Sequence, residues 1–88
     1  MDVTDNTAEH RFELATDAGP AVAEYVLSGG TITFTHTVVP REAEGKGVGS
    51  KLIAGALADV AARGLKVVPQ CAFVGAYLKR HPEAATLA

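Results

Sequence analysis

Residues 44 to 50 read Glu44-Gly45-Lys46-Gly47-Val48-Gly49-Ser50. Glycines there let the main chain approach a ligand closely, because no Cβ stands in the way. The residues that follow have helical periodicity, so the loop ends at a helix start. The first turn of a helix presents unpaired N–H groups and a partial positive charge, which suits a phosphate or pyrophosphate. Lys46 adds a mobile cation at the mouth. The alternative is a loop that merely turns the chain. Two better-known phosphate loops are excluded. A P-loop requires Gly-Lys-Ser/Thr, and here Ser50 precedes Lys51; in Gly-x-Gly-x-x-Gly the third glycine would fall on Ser50 or Leu52.

Two further residues have the chemistry of a transfer reaction. Cys71 follows Pro69-Gln70 and opens a second helical pattern. A helix N-terminus stabilises a thiolate, which makes Cys71 a candidate nucleophile; the alternative is a small thiol that only packs. His36 lies on the strand leading to the glycine loop and titrates near neutrality, as a general base should. It shares its expected strand face with Ile32, Phe34 and Val38, so a hydrogen-bonded core histidine is the competing reading.

These groups must be positioned by a small molecule. The chain has 88 residues, enough for one domain, numbered 1–88 with its core at about 9–83. A domain of this length buries roughly 60–65% of the surface its unfolded chain exposes. The single cysteine excludes an internal disulfide. Net charge is −2 with acidic and basic residues interspersed, and no basic stripe indicates nucleic acid. No apolar run is long enough to span a bilayer and no signal-peptide pattern is visible, which leaves the cytoplasm as the expected location. No metal is expected.

The first half of the chain reads as strands. His10 to Leu14 alternates around Phe12 and Leu14, and Asp17-Ala18-Gly19-Pro20 supplies a turn. Ala21 to Leu27 is a second strand, and Ser28-Gly29-Gly30 a hairpin turn. Thr31 to Val38 is the clearest strand, with Ile32, Phe34, His36 and Val38 expected on one face and threonines on the other. From Val48 to Ala62 the apolar residues Val48, Leu52, Ile53, Ala56, Leu57 and Val60 recur at helical spacing, and Gly64 suits the helix end. Leu65 to Val68 predicts a short buried strand. Cys71 to Arg80 predicts a second helix with Phe73, Val74, Tyr77 and Leu78 inward. Lys79-Arg80-His81 suits its negative terminus, and Pro82 stops it. Met1 to Thr7 and Ala84 to Ala88 are expected to fray. The expected architecture is α+β, β-β-β-α-β-α, a mixed four-stranded sheet with two packed helices.

The run from Glu44 through Gly47 to Gly49 resembles the signature Gln/Arg-x-x-Gly-x-Gly/Ala of GCN5-related N-acetyltransferases, with Glu44 standing where glutamine or arginine is usual. His36-Thr37-Val38-Val39-Pro40, Val67 to Val74 and Arg80-His81-Pro82-Glu83 are similar to the small stand-alone members of that family. The resemblance implies a pared-down fold that binds acetyl-CoA as co-substrate. Its implied binding residues are Val38, Glu44, Gly45, Lys46, Gly47, Val48, Gly49, Ser50 and Tyr77. It also implies transfer of the acetyl group to an amine, either a small amine or a protein lysine. Cys71 would be the acceptor of a covalent acetyl group, or His36 the base for direct attack. Tyr77, seven residues after Gln70, resembles a tyrosine that protonates the departing sulfur in larger members, although an aromatic there also suits a core. A non-catalytic CoA-binding module is the alternative function, and a monomer or homodimer the expected assembly.

Overall fold

The computed structural model describes residues 3–88. A five-stranded mixed sheet has the strands in sequence order: β1 Thr4–Asn6, β2 Arg11–Leu14, β3 Ala21–Ser28, β4 Thr31–Val38 and β5 Lys66–Pro69. The first four pair antiparallel, and β4 pairs with β5 in parallel. Helix α1, Val48–Ala62, connects β4 to β5, and α2, Ala72–Arg80, follows β5. The fold class is α+β as expected, but the sheet has five strands rather than four.

The additional strand is β1. Asp and Asn have poor strand propensity, so Thr4-Asp5-Asn6 gives no local signal. Its order comes from partners distant in sequence. The Asn6 amide donates to Glu13 at 3.0 Å, and the Tyr25 hydroxyl donates to Asp5 Oδ1 at 2.6 Å. Val3 packs so closely over α1 that a Cβ on Gly55 would lie 2.5 Å from its side chain. The C-terminus is also tied: the Val67 amide donates to Thr86 and the Ala88 amide to Val67. The expectation of fraying is therefore corrected from Val3 onward at one end and at Thr86–Ala88 at the other. Met1 and Asp2 lie outside the described residues.

One face of the sheet carries the core. Phe12 opposes Ala23, Leu14 opposes Ala21, Tyr25 opposes Phe34, and Ile32 lies beside Val67. Against this face α1 sets Leu52, Ile53, Ala56, Leu57 and Val60, and α2 sets Val74 and Leu78, all buried. Phe73 is 38% exposed and Tyr77 only half-buried, so α2 turns a narrower stripe inward than its sequence suggested.

The register of β4 changes along its length. Tyr25 opposes Phe34, but Glu24 opposes His36, so Thr35 is an extra residue in β4 and forms a bulge. An extra residue reverses side-chain parity beyond it. Thr37, opposite the buried Ala23, therefore joins the core face. His36 and Val38 pass to the outer face, opposite Glu24 and Val22. The expectation that Ile32, Phe34, His36 and Val38 share a face holds only up to the bulge. His36 is an exposed residue beside Glu24, with Nδ1 to Oε1 at 3.6 Å, rather than a core histidine.

Candidate functional site

The glycine loop reaches α1 through a short 3-10 turn, Arg41–Ala43, whose Ala43 is buried. Gly45 and Gly47 have φ of 80° and 76°, a left-handed conformation costly for residues with a Cβ. Gly47 is the N-cap of α1 and provides no side-chain cap. The Lys51 amide donates to the Gly47 carbonyl at 3.1 Å, making the first bond of the helix. The amides of Val48, Gly49 and Ser50 therefore have no partner within the helix, and no acidic residue sits in this turn to satisfy them.

Gly49 serves a different purpose from Gly45 and Gly47. A Cβ at this position would run into the Phe73 ring, so its hydrogen makes room for α2 to pack against α1. Phe73 then forms a wall of a groove of about 320 Å³ lined by Thr37, Val39, Gly45, Gly47, Gly49 and Ser50, among others. Ala43, Glu44 and Val48 complete its lining. Lys46 turns the other way, into a second cleft of about 630 Å³ that shares Ala43 and Val48 with the first.

Cys71 meets this groove through Thr37. It is the N-cap of α2, in extended conformation, and its amide donates to the Phe34 carbonyl at 2.8 Å. This bond fixes residue 71 against β4 where β4 and β5 cease to pair. Thr37 Oγ1 lies 3.3 Å from Cys71 Sγ. Burial pushes the thiol pKa up, but the Thr37 hydroxyl first, and then the nearby main-chain amides of Val74 and Phe73, pull it down further, leaving Cys71 below the ordinary cysteine range. No first-turn amide makes a well-formed cap bond with Sγ, so the helix opening acts mainly as a set of oriented dipoles.

The expected site residues thus divide. Glu44, Gly45, Gly47, Val48, Gly49 and Ser50 line one groove, and Cys71 adjoins it. Lys46 flanks the groove, and Val38 points its side chain to the outer face, leaving only its main chain near Thr37 and Val39. Tyr77 stacks on His81, ring centroids 4.6 Å apart, and is not part of the groove lining. His36 is across the sheet from the Thr37 side chain. Thr37, Val39 and Ala43 were not expected to line a site, and Phe73 was expected only as an inward residue of the second helix. A glycine at 49 was the one available signal for Phe73, since a helical glycine marks close packing as well as ligand approach.

The groove is a channel of apolar and polar groups that runs from the first-turn amides of α1 to Thr37, the residue in contact with Cys71. The family model of GCN5-related N-acetyl-transferase matches residues 11–87. The match covers β2 through the C-terminal bridge, and the chain belongs to this family. Among curated proteins no match is found.

Proposed function

We propose that the protein binds acetyl-CoA and transfers the acetyl group to an amine through Cys71. The observation that carries this reading is one groove joining the open first turn of α1 to the Thr37–Cys71 pair. The amides of Val48, Gly49 and Ser50 would hold the pyrophosphate, aided by the dipole of α1. Thr37, Val39 and Phe73 would line the path of the pantetheine arm. The bound co-substrate supplies an activated acyl thioester.

The Cys71 thiolate forms a new S–C bond to the acetyl carbon as the coenzyme's own S–C bond breaks, and the departing thiolate takes up a proton from water. The acceptor amine then forms an N–C bond to the same carbon. The Cys71 S–C bond breaks, the thiolate returns, and the amine's surplus proton leaves to solvent or to a base. His36 can serve as that base only for an amine arriving on the outer face, beside Glu24. Its position across the sheet favours the acyl-cysteine route over direct attack assisted by His36.

The test is mass spectrometry of the protein after brief exposure to acetyl-CoA without acceptor. One acetyl group on the Cys71 peptide, released on adding an amine, is expected, with turnover lost in Cys71→Ala. Full turnover by Cys71→Ala would reject the covalent route. The second reading, a CoA-binding module without transfer, is favoured by the absence of His36 from the groove. Tight coenzyme binding with no acetylation and no turnover over a broad amine screen would select it.

A further inference from the structure

We propose that Thr37 is a positioning residue that holds the Cys71 side chain as an oriented thiolate, and that the bulge at Thr35 exists in this fold to place it. The inference rests on the acetyl-carrier role of Cys71.

The sequence of β4 offers threonines at 31, 33, 35 and 37. In an unbroken strand these would share the face opposite Ile32 and Phe34. Thr33 does so, paired with Val26 and Val68. Thr35 occupies the bulge, and its hydroxyl donates to the Glu24 carbonyl at 3.3 Å. Beyond it the parity reverses, and Thr37 alone of the four turns toward Cys71. Its cross-strand neighbour is Ala23, fully buried and too small to compete for the space. The Cys71 amide bond to Phe34 sets the other half of the pair, because it holds the sulfur's own backbone on the same strand.

A hydroxyl donates far better to a thiolate than to a neutral thiol, since a charged acceptor roughly doubles the strength of the bond. The contact therefore favours loss of the thiol proton to solvent and fixes the sulfur beside Thr37, a residue of the groove wall. From β4 come the Thr37 hydroxyl and amide, and from α2 the amides of Phe73 and Val74. From the loop before α1 comes Glu44, the one titratable side chain lining the groove among the described residues. Among the described residues the side chain in hydrogen-bond contact with the sulfur is the uncharged Thr37 hydroxyl, and through it Cys71 can be tuned.

The experiment measures the pH profile of Cys71 alkylation by iodoacetamide, which needs neither coenzyme nor acceptor. Thr37→Val preserves shape and removes the donor. It is expected to move the profile to higher pH and to slow alkylation at neutral pH about five- to tenfold. Thr37→Ser is expected to restore both. Thr37→Ala provides the same comparison should the valine variant fail to fold. An unchanged profile in a folded Val or Ala variant overturns the proposal, as does equal loss in Ser and Val, which would assign the effect to packing. Acetyl transfer is followed in parallel. Full transfer by Cys71→Ala would sink the carrier role alone, while the alkylation profile would still decide the hold of Thr37 on the thiol.

Discussion

Tyr25 shows how one side chain can be both core and clasp. It is 5% exposed, its ring lies against Phe12 and Phe34, and its hydroxyl reaches Asp5 in β1. Burial first, and then the bond to the Asp5 carboxylate, push its pKa up to about 12. A folded-state pKa above the unfolded value near 10 stabilises the fold fully below that value, and the contribution fades as pH rises through 12. Chemical denaturation should therefore show stability falling between about pH 10 and pH 12, beyond what Tyr25→Phe shows over the same range. Parallel curves for the two proteins would contradict the assignment. Cys71 differs from His36 in its partners: its thiol lies against the Thr37 hydroxyl, whereas His36 is exposed with Glu24 beyond hydrogen-bond length.

At the scale of elements, the site is made by two irregularities, the bulge in β4 and the approach of α2 to α1. Gly49→Ala tests the second. Alanine is the better helix former by up to about 1 kcal/mol, and the Phe73 ring is exposed enough to swing aside. The melting temperature is expected to stay within a few degrees of the parent. Coenzyme affinity is expected to fall roughly tenfold, because the displaced ring crosses the groove. Unaltered affinity would show that Phe73 is not a groove wall.

Elements with a strong period were legible without coordinates. The 3.6-residue pattern fixed α1 at Val48–Ala62, and the alternation fixed β4 at Thr31–Val38. What failed to show was whatever depends on distant partners. Thr4-Asp5-Asn6 becomes a strand only by pairing with β2, and a bulge at Thr35 leaves no compositional mark. From the sequence, His36 therefore falls on the wrong face and Thr37 passes unnoticed. The glycine loop was legible because positive φ and an open helix start have local causes; Phe73 was not, because its place is set by α2 docking.

Over the whole molecule, short contacts close both ends onto the sheet. Arg63 at the end of α1 lies 3.3 Å from Asp5 and 3.5 Å from Asp59, which ties β1 to the helix. Val67 in β5 receives the C-terminal segment. Such ties matter in a chain of 88 residues, where the core is small and no disulfide assists it. These ties leave the groove at the β4–α1 junction uncovered among the described residues. The most direct measurement is an NMR titration of the intact protein with coenzyme A, following backbone amide resonances. Saturable shifts concentrated at Val48, Gly49 and Ser50, and continuing to Thr37 and Phe73, are expected. Saturation with those five amides unmoved, or no binding at all, would contradict the account.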